Sequence, residues 1–301
     1  MNVLITGGTG MIGTALSKSL MADGHAVYVL TRSPHDRRLP EGVQALGWDG
    51  RTTAGWGERM SSMDAVVNLV GERLSKWPWT SAQRRRFLDS RVNGGKALVE
   101  AIRAASPRPK VLIQASGVNY YGPLGSSPIT EAQPRGGDFL AGLCKDWEAS
   151  TQPVEELGLR RAVIRSAVVL NPRDGILPIM MLPVRLFAGG RLGSGQQGLP
   201  WIHQKDEVAA IRFLLDNPQA AGPFNLAGPN PVSNAEFMRI LARVMKRPYW
   251  LTVPAWAMRL VLGGMSTLVL DGMYVLPERL QGLGFRFQFE TAEAALKDQL
   301  G

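Results

Sequence analysis

Among 301 residues there is one cysteine, Cys144, and there are three histidines. A single cysteine forms no disulfide within the chain, which fits a reducing compartment. Histidines, cysteines and acids never gather at ligand spacing, so no metal is expected. Long apolar runs are missing too. The most apolar late stretch, 253–276, is interrupted by Arg259, Asp271 and several glycines and makes a poor membrane span. No basic stretch with an apolar one behind it precedes the first apolar strand, so no secretory leader and a cytoplasmic location are expected. Internal repeats and low-complexity linkers are absent.

Acidic residues are in the minority, 25 against 34 Lys and Arg, for a net charge of +9. The excess is scattered, and its densest run is Arg84, Arg85 and Arg86 with Arg91. No recognition helix or RNA-binding motif accompanies it. A solvated helix face plus some cationic pocket residues explains the balance better than nucleic acid. At 45% hydrophobic and 20% charged, the chain has ordinary globular composition, with length for one large α/β unit or two lobes.

The most informative stretch is residues 2–13, NVLITGGTGMIG. Val3, Leu4 and Ile5 make a short buried strand that Thr6 and Gly7 end. Gly7, Gly8, Gly10 and Gly13 then open a helix continuing through Leu16, Leu20 and Met21. Glycine permits a sharp turn and close approach to a pyrophosphate, and the helix N-terminus offers free N–H groups to it. Gly7, Gly8, Thr9, Gly10, Met11, Ile12 and Gly13 are therefore expected to bind a dinucleotide.

The second strand, 27–30, ends in Thr31-Arg32-Ser33-Pro34. An acid there would accept the ribose 2′-OH of NAD, whereas a base receives the 2′-phosphate of NADP. No acid is present. Arg32 is expected to pair with the phosphate, with Thr31 and Ser33 hydrogen-bonding to it, and NADP(H) is preferred over NAD(H). The plainer alternative for Arg32 is a loop cation.

Strands follow at 43–48 and 65–70. Asp49 suits either the adenine edge or a turn. Asn68, Leu69 and Gly71 fall at a strand end, where doubly wound sheets bind ligands. The loop after it holds Glu72, Trp77 and Trp79, the tryptophans serving as a lid or as anchors. A helix over 81–105 offers Arg85 or Ser90 to the cofactor. The strand 111–115 runs into Ser116, Tyr120 and Tyr121, which are suited to proton transfer or, alternatively, form a capped strand end with half-buried rings. A helix is expected at 138–157 and a strand at 162–170, in which Arg165 needs an anion: a ligand phosphate or a structural partner. Beyond 170 the alternation weakens: a turn with Arg173, a helix near 179–186, a short strand 201–203 ending in His203, and a helix 205–215. His203 reads more readily as a hydrogen-bonded fold element than as a catalyst. A further sheet strand is expected at 222–226, a Ser233-capped helix at 235–244, and an alternating apolar run at 285–289.

These motifs, in this order, resemble the extended short-chain dehydrogenase/reductase superfamily. The match is closer to its atypical branch, the "epimerase family" proteins of bacteria with a mammalian relative. It is carried by NLVGERL, DSRVN, YYG, LCKDWEA, RSAVVL, LGSGQQ with WIH, and a C-terminal module with VPAWAMRLVLGG, VLPERL and GFRF. The resemblance implies a Rossmann-type doubly wound parallel sheet in 1–170, with the strand at 222–226 returning to it. A smaller C-terminal α/β substrate lobe with the family's module would occupy 171–301. It puts Ser116 at or beside the superfamily's catalytic serine. The Tyr-x-x-x-Lys dyad would fall on Leu140 and Cys144, or one residue on, on Ala141 and Lys145, so the dyad is missing in either register. Tyr121 or Tyr120 would then be the local proton donor, with Glu72, Trp79, Arg173 and His203 lining the substrate. The expected function is an NADP(H)-binding oxidoreductase or epimerase acting on a small carbonyl or hydroxyl compound, sugar derivatives included. The alternative is an NADPH-binding sensor or interaction protein with little chemistry. Expected partners are a small-molecule substrate and a second copy in a homodimer, with neither nucleic acid nor membrane.

Overall fold

The structure, a computed structural model, describes residues 1–35 and 39–301. Its strands are β1 Asn2–Thr6, β2 Ala26–Thr31, β3 Gln44–Gly47, β4 Ala65–Asn68, β5 Val111–Gly117, β6 Pro128–Ile129, β7 Arg160–Ser166 and β8 Val168–Leu170. They continue with β9 Gly189–Leu192, β10 Gly198–Leu199, β11 Trp201–His203, β12 Gly222–Leu226, β13 Val232–Ser233, β14 Tyr249–Val253 and β15 Tyr274–Val275. The helices used below are α1 Met11–Ala22, α2 Ser81–Ala104, α3 Phe139–Ala149, α4 Leu177–Arg185, α5 Gln204–Asp216 and α6 Asn234–Val244.

Seven strands pair in parallel in the order β12-β7-β5-β4-β1-β2-β3. This is the doubly wound α/β sheet expected from the sequence. Its inner strands β1, β4 and β5 are buried on both faces, which is why they read as mostly apolar runs, whereas the edge strand β3 is partly exposed. In β1 the two faces separate residue by residue: Val3 and Ile5 enter a core with Leu16 and Leu20 of α1, while Leu4 enters one with Leu98 and Ile102 of α2. The chain order reverses between β1 and β4, so their C-terminal ends diverge into a crevice.

A third core, with Leu177, Met181, Trp201, Phe237, Leu241 and Leu296, holds the C-terminal lobe. The late strand at 222–226 does return to the large sheet, as β12 against β7.

Two local readings are corrected. The helix expected over 138–157 ends at Ala149. Beyond it the Ser150 hydroxyl donates to the Trp147 carbonyl, the Thr151 hydroxyl donates to Gln114 Oε1, and Pro153 sits in a short 3₁₀ turn. The strand expected over 162–170 splits at Ala167: β7 stays in the large sheet, and β8 leaves it to pair with β11. The alternation expected over 285–289 holds, with Phe285, Phe287 and Phe289 buried and Arg286 and Gln288 exposed, and the run forms no ladder. There the Asp206 carboxylate accepts the Gln288 and Phe289 N–H groups that a neighbouring strand would have taken.

Phe224 of β12 is fully buried, and the Arg279 guanidinium covers its ring at 4.5 Å. Arg279 also donates to the Ala221 and Pro223 carbonyls, clamping this edge strand. Phe224→Ala is expected to cost about 3–5 kcal/mol, read as a lower urea midpoint at an unchanged slope.

Candidate functional site

The crevice begins at the glycine turn. Gly7 has φ +68°, and a Cβ there would lie 2.7 Å from the Leu69 carbonyl oxygen. A Cβ on Gly13 would lie 2.6 Å from the Gly7 oxygen. Both contacts require glycine, and together they seat α1 against the ends of β1 and β4. Gly8 faces the other way, buried against Val29. No side chain caps α1 and no acid stands in its first turn, whereas Thr80, Asp138 and Ser233 cap α2, α3 and α6. The open first-turn N–H groups suit an anionic ligand.

A cleft of about 1280 Å³ extends from this turn along the ends of β1, β2 and β4. Of the residues expected to bind cofactor, it brings together Gly7, Thr9, Gly10, Met11, Ile12, Gly13, Thr31, Arg32, Ser33, Leu69, Gly71 and Ser90. Glu72, expected on the substrate side, lines it as well. Thr31 Oγ1 accepts the Ser33 N–H at 3.1 Å, which shapes the end of β2. Ser90 Oγ accepts the Glu72 N–H at 2.9 Å. Burial works to raise the Glu72 carboxyl, but hydrogen bonds from Lys76 and Gln83 outweigh it and hold it below its ordinary range. Asp49 lines the cleft and is also the turn residue of its loop, accepting the Arg51 and Thr52 N–H groups.

Other expected residues lie off the cleft. The Asn68 side chain is fully buried between Thr6 and Gln114. Arg85 is exposed on α2, and the face turned to the cleft carries Gln83, Arg86, Ser90 and Asn93. That spacing of three, four and three residues is one helical face, a signal already present in the sequence. Trp79 is an anchor: its indole donates to the Leu74 carbonyl and meets Phe87 and Phe139 edge-on, whereas exposed Trp77 lines the cleft. Arg173 is exposed, and its neighbour Asp174 lines the cleft instead, paired with Arg73 at 2.8 Å. Sequence reading also missed Met265 and Leu268, which no motif marks.

The expected catalytic groups join a buried network. Arg165 reaches both Glu148 oxygens at 2.9 and 3.0 Å and donates to the Tyr121 hydroxyl. Its guanidinium stacks 3.4 Å over the half-buried Tyr120 ring. Of the two alternatives for Arg165, the structural ion pair holds. Burial works against the charged guanidinium, but Glu148 prevails and its pKa is raised. Ser116 donates to Glu148 Oε1 at 2.7 Å. Tyr121 is fully buried and donates to Asn225 at 2.6 Å, with burial raising its phenol. Neither Ser116, Tyr120, Tyr121 nor Arg165 lines the cleft. Leu140 and Cys144 are buried on α3, and burial pushes the Cys144 thiol up to about 11.

His203 is likewise structural. It is fully buried, stacks on Phe289, and caps α5 by accepting the Lys205 N–H at Nδ1. Among the described residues no group of three or more His, Cys, Asp or Glu is arranged to hold a metal, and no helix is long and apolar enough to cross a membrane.

Comparison with known proteins matches this geometry. Residues 3–140 match the NAD dependent epimerase/dehydratase family, and residues 253–299 match a domain of unknown function, DUF1731. An epimerase family protein of Staphylococcus aureus is 39% identical over 300 residues, covering 98% of this chain and 97% of that one. The chain belongs to the epimerase family. The crystal structure of a human epimerase family protein, SDR39U1, with NADPH has 33% identity and a TM-score of 0.89, over 100% of this chain and 99% of that one. A Corynebacterium glutamicum nucleoside-diphosphate sugar epimerase has 30% identity and a TM-score of 0.80, over 100% of this chain and 58% of that one. A Thermus thermophilus UDP-glucose 4-epimerase with NAD, 19% identical, shares the fold at a TM-score of 0.78. The chain is thus an epimerase-family protein of short-chain dehydrogenase/reductase type, with the C-terminal module.

Two outcomes follow for the buried groups. Glu148→Ala strands the Arg165 charge and is expected to cost about 3–5 kcal/mol in chemical denaturation. Burial lowers His203 from its ordinary 6.5 to about 4, so it is neutral when folded and takes up a proton on unfolding. Its contribution is complete above pH 6.5 and is lost as pH falls toward 4. His203→Asn keeps a capping side chain without the titration, and should flatten that part of the stability–pH curve.

Proposed function

We propose that this epimerase-family protein binds NADP(H) in preference to NAD(H) and transfers hydride, as an oxidoreductase or epimerase, to or from a small carbonyl or hydroxyl compound. The observation that carries the preference is the end of β2, where Thr31, Arg32 and Ser33 line the cleft with no acid among them. In this reading Arg32 holds the 2′-phosphate with help from the two hydroxyls. The N–H groups at the start of α1 hold the pyrophosphate, and the close approach of Gly7 to Leu69 shapes the floor beneath it. The NADPH in the human relative's structure supports the same preference. Bound there, a reduced nicotinamide supplies the hydride.

A second reading is a cofactor-loaded sensor with weak or no catalysis. The engagement of Ser116 with Glu148 and of Tyr121 with Asn225 favours it. So does the absence of the superfamily's tyrosine–lysine pair, whose positions the resemblance puts on Leu140 and Cys144 or, one residue on, on Ala141 and Lys145.

Nicotinamide fluorescence, titrated with NADPH and NADH against wild type and Arg32→Ala, tests the proposal. Wild type should bind NADPH more tightly. The variant should lose roughly 10–100-fold in NADPH affinity, the worth of a charge-assisted hydrogen bond, with NADH little changed. Equal affinities in the wild type would sink the preference. Absence of binding by both would sink the enzyme reading.

A further inference from the structure

A second cavity, of about 240 Å³, opens where the strand splits at Ala167 and meets the cleft at Met11, Gly175, Ile176 and Leu268. Outside both spaces, the first part of the C-terminal module carries apolar side chains that the described chain leaves uncovered. Ala255–Leu262, AWAMRLVL, form a helix, α7, with a single charge, Arg259. A helix this apolar ordinarily buries at least one face. Among its described residues none is buried, and Trp256, Leu260 and Val261 are 68%, 79% and 68% exposed.

The exposed surface runs from α7 through Pro254 to β14, and from β14 to the end of α4. Trp250 of β14 is 69% exposed, and its indole donates to the Phe187 carbonyl at 2.8 Å. Leu186 and Phe187, just past α4, are exposed as well. Phe187 has φ +60°, in the left-handed region where a helix end usually places glycine. α6 ends in the same way on exposed Lys246, at φ +54°. Both helix ends thus hold a long side chain in a backbone conformation that side chains disfavour. Strain held at an exposed side chain serves no packing need.

The charges around this surface have one sign. Arg185, Arg191, Lys246 and Arg247 are exposed. The Arg247 guanidinium lies 4.4 Å from the centre of the Phe187 ring, and Arg191 donates to the Thr252 hydroxyl of β14. No acid occurs in 175–205 or 237–270, the segments that contribute α4, β9, β14 and α7. Arg259 has Asp271, just beyond them, as a counter-charge.

We propose that this surface docks on anionic lipid, with α7 lying in the headgroup layer. The exposed side chains project from the surface, which suits insertion among lipid tails better than the seating of a partner helix in a groove. Two tryptophans bordered by basic residues match the bilayer–water interface and its negative potential. A second copy of the chain would bring the same four cations face to face, which like charge opposes. Residues 253–276 make no span, but lying on a bilayer needs none, so the expectation of no membrane partner does not extend to its surface. The proposal is independent of the cofactor reading.

Flotation of the full chain with vesicles tests this, using phosphatidylcholine alone and an equal mixture with phosphatidylglycerol. Wild type should float with the mixed vesicles and stay behind with phosphatidylcholine. Trp256→Ser with Leu260→Ser should weaken flotation on the order of 10-fold or more, at an unchanged urea midpoint. Arg185→Gln with Arg247→Gln should weaken it by a similar factor and flatten its dependence on salt. Wild type that never floats, or that floats equally with both vesicles, would overturn the inference. Flotation that the serine variant keeps in full would do so too, reducing the effect to general attraction of a basic chain. So would a dimer in sedimentation velocity that the serine variant takes apart, without flotation; the surface would then belong to a second copy.

Discussion

The buried pairing of Arg165 with Glu148 is the constraint around which the middle of the molecule is arranged. Arg165 stands on β7, inside the edge strand β12, 4% exposed, where an unpartnered guanidinium would be very costly. Glu148, the penultimate residue of α3, meets it with both oxygens. That geometry fixes the height of α3 over the sheet. Ser116 and Tyr121 join the same charges, and Tyr121 carries the network on to Asn225 of β12. Asn225 in turn gives its N–H to Glu131 and its amide to the Leu276 carbonyl. One ion pair thus holds α3, β5, β7, β12 and the middle of the C-terminal module in register. The groups best suited by type to proton transfer are spent on architecture.

A second constraint acts at the other side of the sheet. The contact between Gly7 and the Leu69 carbonyl works through the absence of a side chain. It lets the turn after β1 lie flat on the exit of β4, and α1 then starts with its N–H groups uncapped. The tie from Gln204 of α5 to the Met11 carbonyl extends the arrangement to the later chain. The crevice is therefore a consequence of backbone packing, and the side chains at its rim are free to set ligand preference. Arg32 is such a rim residue, on a strand end that the fold would hold in place whatever stood there.

The large sheet was legible because period and punctuation agree along it. Runs such as Val3 to Ile5, or the apolar residues before Asn68, are too short for helices and end in glycine or polar residues. The Ser233 cap was legible for the same local reason, and the structure shows its hydroxyl accepting the Glu236 N–H. Failures came where a partner distant in sequence decides the outcome. Arg165 announces a need for an anion, but whether Glu148 or a phosphate meets it depends on how α3 lies over β7. The break at Ala167 is invisible locally, since 162–170 is apolar apart from Arg165 and Ser166, and β8 leaves the sheet to meet β11, more than thirty residues later. His203 shows a partial success: its fold role was the favoured reading, and its cap and its stacking on Phe289 fulfil that role. Arg85 was an avoidable miss, because the helical face through Gln83, Arg86, Ser90 and Asn93 could have been counted from the sequence.

The two spaces at the sheet's C-terminal edge differ in charge, and this limits what can pass between them. The cleft offers open helix N–H groups and Arg32, while its Lys76 and Arg73 are paired with Glu72 and Asp174. The adjoining cavity offers hydroxyl, amide and one carboxylate, with no cation among its described lining residues. An anion is therefore better placed in the first than in the second, by the ordinary cost of moving charge into apolar surroundings without a partner. Relatives named for nucleotide sugars share the fold, but fold alone carries no substrate across. A substrate with its own diphosphate would have to compete for the groups that suit a dinucleotide. A molecule without charge faces no such competition and gains from the apolar walls. The glycine turn and the Ala167 break thus border two adjoining spaces, of which only the first has basic side chains among its described lining residues.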